Sequence, residues 1–167
     1  MRNPFARFVC RLAATTAAAF AFYRYSYMPE HANHVLKFVQ TRTETALETG
    51  GDRAIFAARD NIAFLQTITN ACRLSVDYQL LYAVNERILS NKDDAIEHYT
   101  AALAADHRPE IYFERGMTYL EQRKPDPAIA DMALAVRFNP VYLDSLDEEM
   151  RQRIAAVNKA PYNPPPR

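Results

Sequence analysis

The sequence predicts an all-α protein, a short α-solenoid of stacked helical hairpins with an N-terminal membrane-anchor helix. Three observations carry that expectation. Only 3 glycines occur in the chain (Gly50, Gly51 and Gly116), too few for a sheet protein whose tight hairpins need positive φ. The long segments are filled with Ala, Leu, Glu, Arg and Gln, residues that favour helix. Between Val76 and Pro140 the chain also repeats itself: Ala95-Ile96 returns as Ala128-Ile129, and Ala102 as Ala135, at one and the same offset (128 − 95 and 135 − 102).

Composition narrows the class further. Hydrophobic residues make up 49%, enough for a core and too many for general disorder. The net charge is zero, with 20 basic and 20 acidic side chains, but residues 1–29 hold Arg2, Arg7, Arg11 and Arg24 and no acid. Everything after Pro29 is therefore net acidic, all 20 acids facing the bases left over (20 − 4). That balance argues against nucleic acid, which needs a clustered basic face. Cys10 and Cys72 lie in unrelated contexts and read as two separate thiols; no C-x-x-C or other metal spacing is present.

Residues 1–28 form an apolar leader, and three readings of it compete. An Arg-bearing start, an Ala-rich apolar run and Ala19-Phe20-Ala21 suit a cleaved signal peptide. The absence of acids suits a mitochondrial transit sequence. The third reading is an uncleaved anchor from Pro4 to Tyr27 in which Arg7 and Arg11 snorkel to the headgroups. Its unbroken apolar run, Leu12–Tyr23, falls well short of the roughly 20 residues a spanning helix needs. Tyr23, Tyr25 and Tyr27 beside Arg24 favour the anchor, because each tyrosine joins an apolar ring to a polar tip, as an interfacial belt requires. Three arginines ahead of the apolar run would leave the N-terminus on the positive-inside face and the body across the membrane.

Residues 29–74 predict a helical hairpin. Pro29 is a break or a first-turn residue; Val35, Leu36, Phe38, Val39 and Leu47 sit at helical spacing up to Gly50-Gly51. Asp52 offers an N-cap for a second helix to about Leu74, rich in Ile55, Phe56, Ile62, Phe64, Leu65 and Ile68. Ala54 could mark a degenerate repeat, but the step from Ala54 to Ala95 (95 − 54) is longer than the period from Ala95 to Ala128 (128 − 95).

Residues 75–140 predict two repeated hairpins. Ala83, Gly116, Ala95, Ala128, Ala102 and Ala135 are the small residues that let helix backbones cross closely, with Tyr82, Tyr99, Tyr112, Tyr119 and Met132 filling the spaces between. Asn91 or Asp93 is expected to cap one helix and Asp126, followed by Pro127, another. Pro140 stops the array. Residues 141–160 then hold a capping helix, opened by the box Ser145-Leu-Asp-Glu148 and striped with Met150, Ile154 and Val157, and residues 161–167 are a Pro-rich tail.

The second repeat, with Tyr112, Arg115-Gly116, Tyr119, Ala128, Met132, Ala135 and Pro140, resembles the tetratricopeptide repeat. The first departs from that pattern at Gln79 and Glu86, where an aromatic and a tyrosine are usual. Two repeats are fewer than the three usually needed, so the helices on either side must supply stacking surface. The resemblance implies a protein-binding scaffold whose groove is lined by the first helix of each repeat, here Leu80, Val84 and Arg87, then Phe113, Met117 and Leu120. Leu80 and Val84 stand where carboxylate-clamp members carry polar residues, so the implied groove is apolar and suits an amphipathic helix. A second reading has the chain's own helices filling it.

No phosphate loop, nucleophile elbow or zinc-protease motif occurs, and no cofactor is implied. The expected role is a non-enzymatic accessory subunit of a larger membrane complex, in a mitochondrial or bacterial inner membrane, with other subunits as partners. The alternative is a soluble periplasmic or organellar adaptor released by leader cleavage. A third possibility, a metal-dependent assembly factor, rests on His31 and His34 at a spacing of three and lacks further ligands.

Overall fold

The computed structural model describes residues 15–159. The start of the leader with Arg7, Arg11 and Cys10, and the Pro-rich tail, lie outside the described residues. Helix α1 spans Met28–Thr49, α2 Gly51–Cys72, α3 Val76–Ile88, α4 Lys92–Ala105, α5 Pro109–Glu121, α6 Pro125–Phe138 and α7 Glu148–Lys159. A 3-10 segment, Pro140–Ser145, joins α6 to α7, and no strand occurs among the described residues.

The repeat is legible in the backbone to the residue. Every boundary of α3 and α4 recurs one period later in α5 and α6: 76 becomes 109, 88 becomes 121, 92 becomes 125 and 105 becomes 138. The turns recur as well. Ser90 and Arg123, separated by the same period, are the two non-glycine residues with positive φ among the described residues, at 65° and 60°. In each turn the next amide reaches back to the last helical turn, Asn91 N–H to Glu86 O at 2.9 Å and Lys124 N–H to Tyr119 O at 2.9 Å. That is the bond of a Schellman C-terminus, made without the glycine that usually permits it.

Hairpins α1/α2, α3/α4 and α5/α6 pack in sequence, and α7 lies against α6. Ala83, Ala95, Ala102, Ala128 and Ala135 are fully buried, and Gly116 is buried with them. A β-carbon at position 116 would sit 2.9 Å from Met132 Cγ and 3.1 Å from the Ala128 carbonyl oxygen, closer than packed atoms approach. Beside this crossing, Arg115 grips Asp131 with two bonds of 2.7 and 2.8 Å and reaches Thr100 Oγ1 at 2.9 Å, tying α4, α5 and α6 together.

Three apolar clusters run along the stack. Val39, Leu65, Ile68 and Tyr78 join α1, α2 and α3. Tyr99, Leu103, Ile111 and Tyr112 fill the space among α3 to α6. Met132, Val136, Leu146 and Ile154 seal α6 under the 3-10 segment and α7. The first hairpin is additionally pinned by a buried polar cluster: Asn85 Nδ2 donates to Thr43 Oγ1 at 2.9 Å, and Asn61 Nδ2 donates to Asn85 Oδ1 at 3.0 Å and Thr43 Oγ1 at 3.2 Å. Three helices are thereby fixed in register by buried polar groups, with Asn61 Oδ1 alone of the cluster accepting no bond.

Several expected caps lie elsewhere. Asn91 Nδ2 donates to Glu86 Oε2 at 2.7 Å and its side chain caps nothing. Helix α6 begins at Pro125, whose missing N–H suits a first turn, which places Asp126 inside the helix. Asp52 likewise falls in the first turn of α2, behind Gly50 at φ +64°. Asp147, in place of Ser145, caps α7 by accepting from Met150 N–H at 2.8 Å, because Ser145 is taken up by the 3-10 segment. Pro29 takes the first-turn place, near the start of α1, and does not break the chain. Residues 15–22 are helical, and Tyr23–Tyr27 forms a π-helical turn in which Met28 N–H reaches Tyr23 O. A wider turn just ahead of a proline absorbs its clash with the preceding carbonyls and its missing donor.

Gly116→Ala should destabilise the protein by about 1–3 kcal/mol through overpacking, lowering the urea midpoint at unchanged slope. A variant as stable as the parent would show that the α5–α6 crossing has slack.

Candidate functional site

The first helices of the three hairpins, α1, α3 and α5, line an open groove of about 740 Å³. Leu47, Leu80, Leu81, Val84 and Ile88 give it an apolar floor, and Glu44, Asp77, Glu110, Glu114 and Glu121 stand around it with Arg87 and Arg108. Ion pairs close both ends of the α3–α5 gap. At one end Arg87 binds Glu114 and, at 2.9 Å, Glu121. At the other, Arg108 meets Asp77 at 3.1 Å, with Asp106 and Glu110 at 3.2 and 3.6 Å. Lys92 Nζ adds a bond to the Glu121 carbonyl at 2.9 Å. Burial disfavours the Arg87 charge, but Glu114 and Glu121 outweigh it and hold the guanidinium pKa above its ordinary value.

The six groove residues expected from the sequence separate into two environments. Leu80, Val84 and Arg87 line the groove. Phe113, Met117 and Leu120, their equivalents one repeat later, pack instead against the cluster built by Ile129, Leu146 and Ile154, with Phe113 stacked on Tyr142 at 4.6 Å. The reason is the direction in which each face looks. In α3 that face looks toward α5; in α5 it looks toward the position of a further repeat, which the 3-10 segment and α7 occupy. The residues of α5 that reach the groove are Glu110, Glu114 and Glu121, one helical position over. Sequence reasoning missed them, and missed Gln40, Thr43, Glu44 and Leu47 of α1. The helical spacing of Glu110, Glu114 and Glu121, which puts all three on one side of α5, is the signal that could have exposed the acidic face.

On the N-terminal side, Tyr23 and Tyr27 stack at 5.8 Å, and Tyr27 stacks on His31 at 5.8 Å. Phe20, Phe22, Tyr23, Arg24 and Tyr27 are all exposed. Tyr25 shares the π-helical turn, and its side chain lies outside the described part. No helix among the described residues is long and apolar enough to cross a membrane. His31 and His34 are exposed, and no group of three His, Cys, Asp or Glu side chains that could hold a metal occurs among the described residues.

Of the other two histidines, His107 lies between α4 and α5, and His98 lies in the middle of α4, packed against α3. His107 Nδ1 lies 2.8 Å from Tyr112 Oη. His98 stacks on Tyr82 at 4.2 Å, with Nδ1 2.6 Å from Gln79 Oε1. Burial lowers the His98 pKa below 6.5, opposed in part by Glu97, Glu86 and Asp94. Between that lowered value and 6.5 the unfolded chain binds a proton that the native chain does not, so this site's contribution is complete above 6.5 and shrinks as pH falls through the interval. Urea midpoints should drop across that interval, and His98→Gln should flatten the drop. An unchanged profile in the variant would remove His98 as the source.

No family model matches the chain, and no curated protein matches it. Among solved structures, the crystal structure of MamA, a TPR-like helical protein, aligns with 77% of this chain and 81% of its own at a TM-score of 0.55 and 17% identity. At that identity the likeness shows the fold: this chain is an all-helical protein of TPR-like repeat architecture.

Proposed function

We propose that the protein is a non-catalytic scaffold that holds a segment of another protein in the groove across α1, α3 and α5. The observation that carries this reading is the groove itself, an apolar floor of leucine, valine and isoleucine that the chain's described helices leave open while α7 seals the other exposed face of α5. Groove-and-helix recognition uses such a floor for one apolar stripe and its rim for polar contacts.

The finer reading is an accessory subunit of a larger membrane complex in a mitochondrial or bacterial inner membrane, with the N-terminal segment at the bilayer. The exposed Phe20, Phe22, Tyr23 and Tyr27 support it, since aromatic rings of this kind settle at the headgroup level. A soluble adaptor released by leader cleavage is the second reading, favoured by the small-x-small sequence Ala19-Phe20-Ala21. N-terminal sequencing of the mature protein separates the two, because a start at Phe22 or beyond eliminates the anchor.

Gentle detergent extraction of native membranes followed by native electrophoresis tests the scaffold. The protein is expected to migrate in an assembly well above its own 19.1 kDa. Migration as a lone chain after chemical crosslinking would count against it.

A further inference from the structure

The groove's charge narrows what it can hold. Five carboxylates line it, from Glu44, Asp77, Glu110, Glu114 and Glu121, against two guanidiniums, from Arg87 and Arg108. With Lys92 Nζ also 3.9 Å from Glu121 Oε2 at the edge of the groove, the surplus is two negative charges (5 − 2 − 1). Arg87 is shared by Glu114 and Glu121, and Arg108 by Asp77, Asp106 and Glu110, so neither arginine is free to receive an acidic ligand. Glu44 accepts one amide bond, from Gln40 Nε2 at 3.0 Å, and forms no ion pair among the described residues. Between these rims lie Leu80, Leu81, Val84 and Ile88, half-buried, and Leu47, exposed.

We propose, building on the scaffold reading above, that the groove's occupant is a basic amphipathic helix of a partner protein, its apolar stripe on the leucine–valine–isoleucine floor and its Lys or Arg side chains toward Glu44 and Glu110. Acidic segments are excluded by the same arrangement, because like charge would meet carboxylates already short of cations. Association is faster and tighter at low ionic strength, since the rim carboxylates, exposed in Glu44 and half-buried in Glu110, are screened by salt.

The test uses the full chain in mild detergent and two synthetic helices of about five turns with the same leucine stripe, one carrying lysine on its polar face and the other glutamate. The lysine helix is expected to bind about tenfold or more tighter than the glutamate helix, and to weaken as salt rises. Glu44→Lys/Glu110→Lys should cost the lysine helix about tenfold in Kd, and Val84→Lys a comparable loss. Glu97→Lys, an exposed reversal on α4 outside the groove, should leave binding within about twofold. Circular dichroism of each variant confirms that the fold is retained.

Equal loss with Glu97→Lys would overturn the proposal, since attraction would then follow net charge and not the groove. Tighter binding of the glutamate helix, lost in Val84→Lys, would overturn the basic partner and leave the scaffold standing. Binding of neither helix would overturn the proposal, and migration as a lone crosslinked chain would then remove the scaffold as well. Self-association of the full chain that Arg7→Glu/Arg11→Glu abolishes would assign the groove to the acid-free N-terminus of a second copy, and would overturn the separate partner.

Discussion

The backbones of α5 and α6 approach one another as closely as they do because position 116 carries no side chain and positions 128 and 135 carry only a methyl. Met132 and the Ala128 carbonyl occupy the space a β-carbon would need. That closeness brings Arg115 within two-bond reach of Asp131, a pair whose side chains are 17% and 7% exposed, where an unmatched charge would be strongly destabilising. In the neighbouring cluster Tyr99 lies fully buried among Ala83, Ala95 and Ile111. Burial raises its hydroxyl pKa, with Glu114 adding to the shift and Arg87 opposing it. Each hairpin is thin enough to nest and too thin to fold on its own apolar face.

Nesting leaves two ends to finish, and they are finished differently. At the C-terminal end α7 and the 3-10 segment stand in for a missing repeat, covering Phe113, Met117 and Leu120. At the other end the longer helices α1 and α2 dock on α3 through Thr43, Asn61 and Asn85, an uncharged polar fastening where the later hairpins are tied by Arg115, Asp131 and Thr100. The concave side is left uncovered by the described helices. Three first helices enclose this groove, so the first hairpin completes the stacking and at the same time supplies one wall of the site.

Much of this could be read from the chain because short side chains at a fixed period have one main physical meaning, close helix crossings. Ala95/Ala128 and Ala102/Ala135 therefore disclosed the repeat, and the structure keeps the same offset at every helix boundary and turn of the two hairpins. The exact caps were less legible, since Asp126, Ser145 and Asn91 each had a nearby competitor (Pro125, Asp147 and the Glu86 carboxylate), and a local pattern does not rank them. The groove was half legible. Leu80, Val84 and Arg87 follow from the repeat pattern, but the rotation that sends Phe113 to the cap and Glu114 to the groove depends on what stacks next to α5. The Thr43–Asn61–Asn85 cluster had no sequence signal, because its members are far apart in the chain and meet only after the hairpin docks.

The three apolar clusters follow one another along the stack, each helix hairpin contributing to the next, and helices α1 to α7 should therefore unfold together. The chain contains no tryptophan, which allows a single fluorescent reporter to be placed at will. Phe38 on α1 and Phe138 at the end of α6 are both about half exposed, so Phe38→Trp and Phe138→Trp perturb little and report from opposite ends of the stack. Urea unfolding of the two full-length variants should give coincident midpoints, matching the loss of helical circular dichroism. Two separated transitions, with the Phe38→Trp reporter melting independently of the Phe138→Trp reporter, would contradict a continuous core.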